Sequence, residues 1–129
     1  MSVGLVIVTH GKTGESLIEE AGFVLGGIPV DIFTVAFNHA KDPASGLLQI
    51  RSAIERADSG DGVLVLTDLM GASPSNLVAE TLEDYHAIMV TGVNLSMLIC
   101  ACNYREQSLS LVVRKVVESG RRSVKIFQQ

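Results

Sequence analysis

Val3-Gly4-Leu5-Val6-Ile7-Val8-Thr9-His10-Gly11 is the stretch from which the fold is read. A run this apolar, rich in β-branched residues, suits a strand buried on both faces, as in a parallel sheet covered by helices. Gly11 lets the chain turn at once into a helical pattern of apolar residues at Leu17, Ile18, Ala21, Val24 and Leu25. A strand followed directly by a helix puts His10 at the strand's carboxyl end. Ligands of open α/β sheets collect there, so the imidazole is expected to face solvent and substrate rather than the core.

The same alternation continues along the chain. Gly26-Gly27 ends the first helix, and Val30 to Phe37 predicts a second strand. Asn38 to Pro43 reads as a polar loop, with Pro43 opening a helix that carries Leu47, Ile50, Ile54 and Ala57 on one face. Asp58-Ser59-Gly60-Asp61-Gly62 is turn chemistry. Val63 to Thr67 predicts a third strand ending at Asp68, followed by a helix from about Ser75 to Tyr85 and a fourth strand from Ala87 to Thr91. Gly92-Val93-Asn94 leads into a helical region through Cys102. Leu109, Val112, Val113, Val116 and Val117 mark another helix, ended by Gly120, and Ser123 to Phe127 predicts a short last strand.

Residues 1–129 are therefore expected to form a single three-layer α/β domain. Its mostly parallel sheet has four strands plus the short C-terminal edge strand. That strand is left to pair parallel, antiparallel or with another subunit.

Composition narrows the function. A formal charge of −4, with Arg121, Arg122 and Lys125 as the only basic cluster, gives no electrostatic footprint for nucleic acid. No segment has the length of a membrane span or the pattern of a secretory leader, and a cytoplasmic location is expected. Cys100 and Cys102, the only cysteines, point to different faces of a helix and are read as small, partly buried hydrophobes.

Polar residues stand at three strand ends: His10, Thr67-Asp68 and, shortly after the fourth strand, Asn94. In a parallel sheet these ends share one side. An aspartate bonded to one imidazole nitrogen fixes the tautomer and leaves the other as base or nucleophile, so His10 and Asp68 are the expected catalytic pair, with Ser73 as rival nucleophile. Gly71-Ala72-Ser73-Pro74 forms a small-residue loop entering a helix, able to hold an anion such as a phosphoryl group on backbone N–H groups. It matches neither glycine fingerprint of nucleotide sites, and no metal-ligand set accompanies it, so no cofactor or metal is expected. Each feature also has a plainer reading: Asp68 and Asn94 as helix caps, and the loop as a turn only. His39 and His86 are read as surface residues, and Met70 and Met97 as packing residues.

Val6 to Gly11, Leu66 to Pro74 and Thr91 to Leu98 together resemble, in order and over essentially the whole chain, the mannose-family enzyme IIA domain of the bacterial phosphoenolpyruvate:sugar phosphotransferase system. The resemblance implies a phosphocarrier. The donor would be the phosphocarrier protein HPr, and the acceptor a separate IIB component in sugar uptake, at a membrane permease complex, or a regulatory target. His10 falls at the phosphorylated position and Asp68 at the orienting one. Thr67, Gly71, Ala72, Ser73 and Asn94 fall on the active-site rim. The resemblance also implies a homodimer whose last strand can run antiparallel and exchange between subunits. Ala72 and Ser96 depart from the family pattern, which commonly has glycine and proline there. The chain stops at Gln129 without a IIB domain, so the acceptor is expected to be another protein.

Two other classes compete with a transport relay. A regulatory module would use phosphorylation of His10 to switch a docking surface, and donation to a dihydroxyacetone kinase is a variant of the relay. A histidine phosphatase carries arginine where Thr9 stands, and threonine cannot supply the guanidinium fork that clamps phosphate.

Overall fold

The computed structural model describes residues 2–27, 31–38, 42–69 and 73–128. Strand β1 (Gly4–His10) leads into α1 (Thr13–Leu25), then β2 (Ile32–Phe37), α2 (Pro43–Ala57), β3 (Val63–Thr67), α3 (Ser73–Thr81), a 3₁₀ turn (Leu82–Asp84), β4 (Ala87–Val90), α4 (Leu95–Tyr104) and α5 (Leu109–Ser123). The four strands form one parallel sheet in the order β2-β1-β3-β4. The two strands buried most completely, β1 and β3, are the central ones.

The period-2 alternation of those strands divides the core. Leu5, Ile7, Leu64 and Leu66 pack with α1, α4 and α5 on one face. Val6, Val8, Val63 and Val65 pack with α2 and α3 on the other. Each such side chain, fully withdrawn from water, contributes about 1.5–3 kcal/mol of transfer free energy. Gly4 is required at the start of β1 because a Cβ there would overlap the Ala57 carbonyl at the end of α2. Helix ends follow local chemistry. Asp42 caps α2 by accepting the Ser45 N–H at 2.9 Å, with Pro43 in the first turn, and Gly26 closes α1 at φ 82°.

Several sequence expectations shift. The expected strand from Val30 begins at Ile32, because Asp31 before it forms a turn; Val30 itself lies outside the described residues. Helix α3 starts at Ser73 rather than Ser75, because Pro74 needs no hydrogen-bond donor in a first helical turn. It ends at Thr81, whose Oγ1 donates to the Val78 carbonyl at 2.7 Å, and the chain tightens into the 3₁₀ turn. Strand β4 stops at Val90, one residue short of Thr91, and α4 runs on past Cys102 to Tyr104.

The larger corrections concern the C-terminus. Gly120 does not end α5; it lies buried inside the helix, where a Cβ would stand 2.7 Å from Met97 Cγ and Sδ, so its role is close helix packing. The expected strand Ser123 to Phe127 is not formed within the chain. Ser123 is the last helical residue, with its Oγ donating to the Gly120 carbonyl at 2.7 Å. Residues 124–128 carry no regular structure, and Val124, Ile126 and Phe127 are 80, 94 and 92 % exposed. Among the described residues of the chain their strand-like composition has no neighbouring strand to pair with, and β-structure requires one.

Among the described residues no helix is long and apolar enough to cross a membrane. Cys100 and Cys102 are free, partly buried thiols packed against the α1/α4/α5 core, and burial raises the pKa of both.

Candidate functional site

His10 closes β1, between Phe37 on β2 and the end of β3. Because Val8 is in register with Thr67 on β3, the next residue of that chain, Asp68, emerges beside His10 at the same edge of the sheet. One carboxylate oxygen holds the histidine twice: Asp68 Oδ2 accepts the His10 main-chain N–H at 3.0 Å and lies 2.9 Å from Nδ1. An ionised carboxylate only accepts, so Nδ1 carries a proton, and in the neutral ring Nε2 then keeps its lone pair. The other oxygen, Oδ1, accepts the Leu69 N–H at 2.9 Å.

Partial burial pushes the Asp68 carboxyl upward, but the His10 main-chain and ring N–H groups outweigh it, aided by Leu69, and the pKa lies below the ordinary value. The His10 side chain is 50 % exposed and that of Asp68 19 %, so the pair is only partly shielded from water.

The backbone around His10 is fixed from two sides. Gly11, at φ 47°, turns the chain away and donates its N–H to the Phe37 carbonyl at 2.6 Å. Before it, the buried Thr9 accepts the Gly14 N–H on Oγ1 at 2.8 Å. This satisfies a donor in the first turn of α1, where Lys12 offers no side-chain cap.

A cleft of about 500 Å³ opens beside the ring. Phe37, Asn38, Pro43, Pro74 and Leu77 form its walls, and Ser73 brings the amino end of α3 to the same space. Sequence reading included Pro74 in the anion-holding loop but missed Phe37, Asn38, Pro43 and Leu77. The available signal was the second strand itself, since a strand paired in parallel with β1 must end beside His10.

The expected site residues are thus only partly brought together. His10, Asp68 and Ser73 share the carboxyl end of the central strands. Thr67 is there too, but fully buried rather than on a rim. Asn94 is turned elsewhere: it caps α4 by accepting the Met97 N–H at 3.0 Å and donates to Ser123 Oγ at 3.1 Å, lining a separate hollow with Gly120, Arg121 and Val124. Gly71 and Ala72, with Met70 and His39, lie outside the described residues. His86 is exposed at the opposite end of the sheet, just before β4, and Met97 is a buried packing residue, as expected.

Fold and site together define a doubly wound α/β domain with a histidine–aspartate pair at the strand ends on either side of its central pairing. The sequence profile of the mannose-type IIA family, described as PTS system fructose IIA component, matches residues 4–117. The chain belongs to this family, that of the IIA components of the sugar phosphotransferase system.

It is 30 % identical, over 99 % of its length, to the PTS system mannose-specific EIIAB component of Escherichia coli K12, and it spans 40 % of that relative. Among solved structures, a mannose/sorbose specific IIA subunit from Enterococcus faecalis superimposes with a TM-score of 0.90 at 21 % identity, covering 100 % of this chain and 97 % of that one. The phosphotransferase system component EIIA from Streptococcus agalactiae gives 0.83 at 22 % identity, over 96 % of each chain.

Proposed function

We propose that residues 1–129 act as one IIA phosphocarrier unit, working in the cytoplasm, in which His10 accepts a phosphoryl group from HPr and passes it to a separate acceptor. The observation that carries this reading is the ring held through Nδ1 on Asp68, which leaves Nε2 of the neutral ring as the nucleophile, beside a cleft that also receives the amino end of α3. Nε2 attacks phosphorus as the donor's N–P bond breaks, and the donor nitrogen retains the electron pair. The Nδ1 proton stays in the hydrogen bond to Asp68, whose charge balances the imidazolium that forms. The helix end supplies a favourable potential for the phosphoryl oxygens. Ser73 stands at that helix end, and Gly71 and Ala72 join it in this reading through their place in the sequence.

The acceptor in this reading is a IIB component in sugar uptake. Two copies are taken to assemble through the exposed apolar tail and the outer edge of β4. A regulatory target and a dihydroxyacetone kinase are the alternative acceptors.

The test is incubation with phosphoenolpyruvate, enzyme I and HPr, followed by mapping of acid-labile phosphate by mass spectrometry. Phosphate on His10 is expected. Phosphate on His39 or His86 with His10 unmodified refutes the assignment. Candidate acceptors are then ranked by which one takes the label from the phosphorylated protein.

A further inference from the structure

Four polar side chains are buried among the described residues: Thr9, Thr67, Ser75 and Thr81. Three have clear employment. Thr9 Oγ1 accepts from Gly14, Ser75 Oγ donates to the Leu69 carbonyl at 2.9 Å, and Thr81 Oγ1 donates to Val78. Thr67 Oγ1, with no exposed surface, has no hydrogen-bond partner. A buried hydroxyl left unpaired destabilises the fold, and valine would fill the same β-branched shape without that penalty.

Its place in the sheet suggests when the hydroxyl is used. Val63, Val65 and Thr67 follow one another on the α2/α3 face of β3, so the core pattern alone would be continued by a third valine. Thr67 lies in register with Val8, and the next residue on that face of β1 is His10. The main chain of Thr67 is pinned, because its carbonyl accepts the Val93 N–H at 2.9 Å, whereas no hydrogen bond holds its O–H. A phosphoryl group on His10 would add three acceptor oxygens and about −1.5 to −2 charge one step along this row of side chains. An unpaired dipole in a low-dielectric interior responds strongly to such a charge.

We infer that the Thr67 hydroxyl is a positioning donor that goes unpaired beside the free histidine and turns its hydrogen towards the phosphoryl group on His10, favouring the phosphorylated state. The inference rests on the phosphocarrier reading above. A bond made in both states would leave the equilibrium between them unmoved; one made in only one state shifts it by its full strength. Thr67 keeps its own proton throughout. The phosphoryl group still moves by exchange of the donor's N–P bond for the His10 Nε2–P bond.

The experiment measures, by phosphorus NMR, the equilibrium of the phosphoryl group between phosphorylated HPr and wild type, Thr67→Val or Thr67→Ser. Thr67→Val should move it away from the phosphorylated protein by about tenfold, the scale of one hydrogen bond to a charged group, and Thr67→Ser should restore it. Thermal melts give an independent sign: Thr67→Val should melt above wild type when unphosphorylated and below it when phosphorylated. A purely structural residue would move both melts the same way. Thr67→Ala provides the same equilibrium readout should the valine variant not fold. A wild-type equilibrium in Thr67→Val overturns this inference and leaves the phosphocarrier reading standing. A wild-type protein that takes no phosphate on His10 overturns both.

Discussion

Replacing Asp68 with asparagine keeps the size of the side chain and removes its charge. Among the described residues three hydrogen bonds reach the carboxylate; two come from His10, and both end on Oδ2. An amide can place its oxygen there only by turning its NH2 towards the Leu69 N–H, donor against donor. The opposite flip sets the NH2 against the His10 main-chain N–H and forces the ring into the tautomer with Nε2 protonated, which removes the attacking lone pair. Charge matters as well: unit charges at the observed 2.9 Å attract by about 1.4 kcal/mol at the dielectric of water and about 6 kcal/mol at an effective value near 20. Half exposure of the ring favours the lower part of that range. Asp68→Asn should therefore slow phosphoryl transfer by about ten- to a thousandfold, at about 1.4 kcal/mol per factor of ten, with the fold intact. The assay is single-turnover transfer from phosphorylated HPr, with circular dichroism as the control for folding. Transfer at the wild-type rate would reduce Asp68 to a cap on the following turn and refute the paired mechanism.

The same variant makes a pH prediction. The native Asp68 carboxyl ionises below its ordinary 3.8, so its contribution to stability is present above that value and is lost as pH falls through the depressed one. Urea unfolding should show a stability gap between wild type and Asp68→Asn that shrinks as pH falls below about 4; a gap that does not shrink down to about pH 2 would contradict the depressed pKa. Gly4→Ala should lower stability by about 2–3 kcal/mol, because the Ala57 backbone carbonyl cannot move aside, and an unchanged denaturant midpoint would refute the close packing. Wild type should sediment at twice the 13.7 kDa chain mass, and removal of residues 124–129 should give monomers. A dimer that survives this truncation excludes the tail from assembly.

Where local sequence dictated structure, the elements were legible. The continuous apolar runs of β1 and β3 are unambiguous, and parallel order then requires His10 and Asp68 to meet. Misreadings arose where a residue answers to a distant neighbour. Gly120 carries a helix-stop signal, but its position is set by Met97 on α4, twenty-three residues earlier in the chain. The tail carries a strand signal that no described strand of the same chain meets. Asn94 shares the strand-end rule with His10 but follows the edge strand β4, two places from β1 in the sheet, where capping α4 occupies it. The second bond from His10 to Asp68 was hidden for another reason. It uses a main-chain N–H, which every residue but proline has.

That double attachment bears on the entropy of the reaction. An imidazole half open to solvent ordinarily samples several rotamers, and ordering such a side chain on encounter costs about 0.5–1.5 kcal/mol. Here a single oxygen grips both the backbone and the ring of His10, so the two side-chain torsions are largely set before a partner arrives. A donor that docks meets a nucleophile already aimed. The encounter then needs only to align two rigid bodies, and a small unfavourable activation entropy is the thermodynamic signature of that arrangement.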